Sequence, residues 1–246
     1  MKNLYHCNKT PSLKLKHYID AYWIIKNKTD KSVKIPIVPD GCIDIVSKNG
    51  EIFLVGLMEV ASIKTIEPND HYIGIRFKAG AISALLEQDI SIFNDKMIPL
   101  ETIMPQLYEQ LYKVFFNLAD MFEKLDRVFE THLIGKSLDK RVTLSIKAIE
   151  LSNGGISVKE LSQKAKLSQK QLSRLFVGKV GLTPKKFARV IRFFHTHRHL
   201  THEGMSNLCI KVLEKGYYDQ AHFNHEYKML TGVNPNSEIM SIFYNT

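Results

Sequence analysis

Two rhythms of apolar residues divide the chain. Over the first hundred positions they come in short runs rich in β-branched side chains, at 33–38, 42–47, 52–57, 61–66 and 73–77. Turn formers separate these runs, Pro39-Asp40-Gly41 and Lys48-Asn49-Gly50 most clearly, so the pattern predicts a small antiparallel sheet or barrel. The segment 18–25 fits either a strand or a helix end, and 80–86 reads as a short helix. From about 99 to 133 the spacing changes to three and four. Leu107, Leu111, Val114, Phe115, Leu118, Phe122, Leu125 and Phe129 then form a helical stripe. This stripe suits either packing onto the chain's own sheet or a partner helix.

The last part is helical and internally repeated. Residues 157–184 overlay on 208–235 at a constant offset of 51: Ala165 on Gly216, Ser168 on Asp219, Leu172 on Phe223, Phe176 on Tyr227, Gly181 on Gly232 and Pro184 on Pro235. Each copy reads as two short helices and a tight turn. In the first, Ser157 and Glu160 have capping-box spacing, Val158, Leu161 and Ala165 form the apolar stripe, and Lys166-Leu167 makes the turn. Ser168 caps the next helix, Leu172, Leu175 and Phe176 face inward, and Gly181 ends it. In the second, Leu208, Val212 and Leu213 are the apolar set, Asp219 is the cap, Phe223, Tyr227 and Leu230 point inward, and Gly232 terminates. A connecting helix over 184–200 carries Phe187, Val190, Ile191 and Phe194. A leading helix at about 138–152, with Val142, Leu144, Ile146, Ile149 and Leu151, closes the bundle. The predicted class is α+β: an N-terminal small antiparallel sheet or barrel with helices, then a C-terminal all-α double helix-turn-helix. The predicted divisions are 1–100, β-rich; 101–136, a helical linker or dimerisation segment; and 137–246, the helical repeat.

Charge sharpens the division. Residues 1–136 hold 17 Lys and Arg against 17 Asp and Glu, whereas 137–246 hold 17 against 8, so the whole net charge of +9 lies in the helical part. A basic module beside a neutral one marks a polyanion-binding domain. Two helices and a tight turn in such a domain constitute a helix-turn-helix, whose second helix enters the major groove. The outward positions expected to reach base edges are Gln169, Lys170, Ser173 and Arg174 on the first recognition helix (about 169–180). On the second (about 220–231) they are Gln220, Ala221, Asn224 and His225. Arg174 suits a bidentate contact to guanine, with a phosphate clamp or a surface salt bridge as its alternative. Lys179, Lys185, Lys186, Arg189, Arg192 and Lys228 are placed for phosphates.

The segment Gly216-Tyr-Tyr-Asp-Gln-Ala-His-Phe-Asn-His-Glu-Tyr-Lys-Met-Leu-Thr-Gly-Val-Asn-Pro235 resembles the signature of AraC/XylS-type regulators, and 161–187 is similar to that family's first helix-turn-helix. The resemblance implies a transcription factor with two recognition helices in successive major grooves, about 34 Å apart. Family members often carry Arg where this chain has His225, a departure that weakens the expectation of base reading by the second unit. Val38-Pro-Asp-Gly-Cys-Ile-Asp-Ile-Val46, with Gly74-Ile-Arg-Phe-Lys78 and Asp95-Lys-Met-Ile-Pro-Leu100, resembles a recurrent N-terminal domain of such regulators. It implies sensing or dimerisation.

Tyr22, Trp23, Tyr72 and Arg76 are candidates to line an effector pocket, an arginine among aromatics being suited to a carboxylate. The alternative is that Arg76 pairs with Asp40 or Asp44 and the aromatics are core. His195, His199 and His202 share a helical face but lack an accompanying carboxylate or thiolate, so no metal and no cofactor is expected. No catalytic motif is present. The alternative function is a metal-dependent cupin-like enzyme fused to a DNA-binding module, for which His6, His17, His71 and His132 lack ligand spacing. Three scattered cysteines (Cys7, Cys42, Cys209), with no secretory pattern and no apolar stretch of about 20 residues, point to a cytoplasmic protein. The expected partner is double-stranded DNA and not a membrane. RNA polymerase, a small-molecule effector and a second copy of the chain stay open.

Overall fold

The computed structural model describes residues 4–117, 119–203, 213 and 216–235, without the side chains of 199–203. Six antiparallel strands form the main sheet: β1 Leu4–Lys9, β2 Ile19–Asn27, β4 Ile43–Lys48, β5 Glu51–Val55, β7 His71–Phe77 and β8 Met97–Pro99, in the order β1-β2-β7-β4-β5-β8. A separate pair, β3 Val33–Ile37 with β6 Ser62–Ile66, makes a two-stranded sheet. Five strands follow the apolar runs, and the undecided segment 18–25 is strand β2. The sequence reading missed β1 and β8. Both are edge strands, with few inward apolar residues to create an alternation.

Alternation along the strands sorts their side chains onto two faces. Tyr22, Ile45, Leu54, Ile73 and Ile75 face helices α2 (Pro105–Phe116) and α3 (Met121–Leu133), which follow a short α1 (Leu100–Ile103). Phe129 meets Phe77 edge-on at 5.6 Å, and the Tyr22 hydroxyl donates to Asp126 Oδ1 at 2.8 Å. The helical stripe therefore covers its own sheet. Leu118 lies outside the described residues. On the outer side of α2, Tyr108, Tyr112 and Phe116 stack in a row at 6.0 and 6.4 Å, with Phe116 84% exposed. The opposite face of the sheet, with Val46 and Tyr72, is covered by Ile35 and Ile66 of the small sheet. Residues 81–84 form the short helix expected there, as a 3-10 turn, and a second such turn spans 90–93.

The C-terminal part contains α4 Lys140–Leu151, α5 Val158–Ala165, α6 Gln169–Val180, α7 Pro184–Glu203 and α8 Gln220–Thr231. The Ser157–Glu160 capping box forms, and Ser168 makes a second one with Gln171. Each such cap satisfies end amides that have no helical partner and is worth about 1 kcal/mol. Gly181, at φ 97, closes α6 in the left-handed conformation that a side chain resists. Two expectations fail on α4: Leu144 and Leu151 face solvent, because Val142, Ile146 and Ile149 already define the inward face. On α7 it is Phe193, not Phe194, that is fully buried. Leu208 and Val212 lie outside the described residues, and Leu213 is exposed.

One continuous apolar core runs from Leu15 in the N-terminal half through Leu161, Leu172, Phe176 and Phe187 to Ile191. The halves also meet through polar contacts. Asn94 Nδ2 donates to the Gly181 carbonyl at 2.9 Å, Lys186 pairs with Glu59 at 2.6 Å, and Ala61 N donates to the Leu230 carbonyl at 2.6 Å. Gly41, at φ 80, lies so close to the Phe187 ring that an added Cβ would sit 2.6 Å from it.

Candidate nucleic-acid interface

On α6 the buried residues Leu172, Phe176 and Val180 define one side. Gln169, Lys170, Gln171 and Arg174 are exposed, and Ser173 is half-buried. The expected base-facing set thus lies on the free arc, with Gln171 added. The sequence reading missed Gln171 although Ser168-Gln-Lys-Gln171 has capping-box spacing. Beside this arc runs a groove of about 580 Å³ lined by Gln171, Ser173, Arg174, Leu175, Val177 and, from the N-terminal half, Asp89. The Asp89 carboxylate is held by Ser91, accepting from its amide at 2.9 Å and its hydroxyl at 2.6 Å. It therefore places a negative charge at the edge of this exposed arc.

On α8, Phe223, Tyr227 and Leu230 are buried, and Asp219 caps the helix by accepting from His222 N at 2.7 Å. Ala221 and His225 are exposed, and Gln220 is half-buried. Asn224 departs from expectation: it is half-buried and its Oδ1 is closed to solvent. His222, which sequence reasoning missed, is exposed on the same side, its Nδ1 accepting from Tyr218 N at 3.3 Å.

The phosphate set divides. Lys185 and Lys228 are exposed, Lys179 is half-buried, and Lys186 is exposed but paired with Glu59. Arg192 is a correction. Its side chain is only 16% exposed and forks onto Glu226, Nη2 to Oε2 at 2.8 Å and Nε to Oε1 at 3.2 Å, while its guanidinium lies over the Tyr217 ring at 5.1 Å. Burial works against that charge and Glu226 outweighs it, so the guanidinium is held above its ordinary pKa. Arg189 Nε reaches the same carboxylate at 3.4 Å. These arginines fasten α7 to α8. Glu226 was missed because its arginine partners lie 34 or more residues away in sequence.

The four effector candidates do not line one cavity. Tyr22 is fully buried on the helix-covered face, and burial with Asp126 pushes its phenol well up. Trp23, Tyr72 and Arg76 lie on the opposite face by register. Tyr72 donates to Asp70 at 3.3 Å. Arg76 engages Asp40 at 3.1 Å and Asp44 at 3.2 Å, so the pairing alternative is the one the structure contains. Burial raises the Asp44 carboxyl's pKa, and Arg76 offsets part of the rise. This ion cluster ties Asp40, in the turn before β4, and Asp44, on β4, to strand β7. Among the described residues no group of three or more His, Cys, Asp and Glu side chains is placed to hold a metal ion. His195 is exposed, and the side chains of His199 and His202 lie outside the described set. None of the described helices is long and apolar enough to cross a membrane.

Residues 161–238 match the profile of a helix-turn-helix domain. The C-terminal half is a DNA-binding helix-turn-helix domain, and the chain is a transcription regulator. Residues 8–99 of the regulator match a domain of unknown function (DUF6597). A search of curated proteins finds no match to the regulator. Similar solved structures include ToxT from Vibrio cholerae O395, 13% identical over 100% of this chain and 99% of that one, with a TM-score of 0.43. ToxT bound to (E)-4-(8-methylnaphthalen-1-yl)but-3-enoic acid is 12% identical over 99% and 98% of the two chains, at 0.44. Unsaturated fatty acid-bound ToxT from strain SCE256 is 13% identical over 98% and 94%, at 0.40.

Proposed function

We propose that the regulator acts in the cytoplasm, is of the AraC/XylS type, and places α6 and α8 in successive major grooves on one face of duplex DNA. The observation that carries this reading is the pair of capped helices, each burying one face and presenting another to solvent, in the half that holds all the excess positive charge. Gln169, Lys170, Ser173 and Arg174 read bases from the first unit. From the second, Ala221 and His225 face outward, with Gln220 and Asn224 at the margin. Lys179, Lys185, Lys228, Lys186 and Arg189 are placed for phosphates, Lys186 and Arg189 only by sharing their acidic partners.

The N-terminal half, with divisions near 100 and 136, serves effector sensing, dimerisation or both. The stacked Tyr108, Tyr112 and Phe116 favour α2 as the face for a second copy, and RNA polymerase is a further candidate partner. A metal-dependent enzyme activity has no ligand set among the described residues to support it.

The test is unbiased binding-site selection with the full chain. Two short enriched blocks one helical turn apart are expected, and a pool without enrichment would overturn the reading. On the selected site, Arg174→Ala should lose about 1–3 kcal/mol and relax preference at one base pair if the contact is to guanine. A loss uniform across sequences, with a flatter salt dependence, would assign Arg174 to phosphate instead.

A further inference from the structure

The first unit shares its core with the N-terminal half. Among the described residues the second forms a separate cluster, Phe193, Tyr217, Phe223, Tyr227 and Leu230. Among the described residues two routes hold α8 in place. One is α7, through Phe193 and the Arg192–Glu226 fork. The other comes from the N-terminal half. Val38 packs against the second unit's cluster, and Ala61 N donates to the Leu230 carbonyl, one of the last carbonyls of α8 and so without a helical partner. The same half grips the first unit at the Gly181 carbonyl through Asn94, and α7 at Phe187 over Gly41. The contacts close a frame: α6, N-terminal half, α8, α7 and back to α6.

A closed frame restricts what a single connecting helix leaves free, namely the distance and rotation between the two recognition helices. On DNA these two quantities change together. Each added base pair moves the second block about 3.4 Å along the axis and turns it by about a tenth of a turn. Resting on the two-groove reading above, we propose that the N-terminal half, through Val38 and Ala61, is the spacing determinant of the DNA site. It sets where the second recognition helix sits, so the full chain accepts one separation between the two blocks.

The experiment uses full-length protein and the selected site, together with duplexes whose blocks are moved one or two base pairs closer or farther apart. The unaltered chain should prefer the selected separation by about tenfold or more, in line with the cost of a poorly matched base pair. Ala61→Pro, which removes the donor, and Val38→Asp, which puts a charge against the aromatic cluster, should cut that preference to about threefold or less. Affinity for a duplex carrying the first block alone should not change. If either variant fails to fold by circular dichroism, Val38→Ala, which deletes two methyl groups, carries the same expectation to a smaller degree. An unchanged spacing preference in folded variants overturns the proposal. So does an equal rise in affinity at every separation, which would make the contact a brake. Absence of an enriched site with the unaltered chain overturns the DNA reading itself, a result separable from either.

Discussion

The two helix-turn-helix units repeat one sequence pattern at an offset of 51 residues and are held by different forces. The first has two capping boxes and buries Leu161, Leu172 and Phe176 in a core continuous with the N-terminal sheet and its helices. Among the described residues the second gathers five buried aromatic and aliphatic residues into its own cluster. Beside it stands the 3%-exposed Glu226 carboxylate, engaged by Arg192 and Arg189. Removing apolar area from water is non-directional and scales with the area, so the large shared core makes the first unit part of a single body. A buried ion pair adds little net stability, but it demands one geometry. The second unit is thereby positioned sharply and held lightly. That combination suits an element whose placement is set by contacts from elsewhere in the chain.

The comparison breaks most visibly in the cores. Phe176→Ala and Phe223→Ala each remove a fully buried ring and should each cost about 3–5 kcal/mol. They should differ in what melts. Phe176→Ala should lower the whole cooperative transition, sheet included. Phe223→Ala should detach the second unit as an early transition and leave the N-terminal amides protected from hydrogen exchange. Equal global destabilisation by both would show that the units are energetically one. Next in size is Glu226→Ala, which strands Arg192 and should cost about 3 kcal/mol, confined to the second unit. Urea denaturation followed at separate amides checks it. The conservative Glu226→Gln should recover only part, because one neutral amide oxygen cannot meet the bidentate guanidinium.

Local features of both units were legible in the sequence. Ser157, Ser168 and Asp219 cap the helices assigned to them, and Gly181 and Gly232 end theirs, because caps depend on residues within four positions. Periodicity likewise gave the free arc of α6. Features that depend on long-range pairing were not legible. Arg192 looked like a phosphate ligand because nothing near it in sequence signals Glu226. Asn224 counted as outward by periodicity although the chain around it closes off its oxygen. In the N-terminal half strands β3 to β7 were readable, but their register was not. Register places Tyr22 on the opposite face from Trp23, Tyr72 and Arg76, and so dissolves the pocket proposed from the four together.

The smallest effect separates the units by pH. His197 stacks on Phe193 in the second unit's core, and burial lowers its pKa from the ordinary 6.5 to about 4. No such histidine lies among the buried residues of the first unit. Because the folded chain keeps His197 neutral while the unfolded chain takes up a proton below about 6.5, unfolding binds protons in this window. Stability is therefore full above about pH 6.5 and falls as pH drops towards 4, by on the order of 2 kcal/mol. His71 and His132 are also lowered by burial and push the same way from the N-terminal half, so the sign alone does not isolate His197. Site-resolved exchange does. Between pH 7 and 5 the second unit's amides should lose protection ahead of the first unit's, and His197→Phe should remove that lead. If both units lose protection in step, or if the variant keeps the lead, the second unit's looser hold does not arise from this histidine.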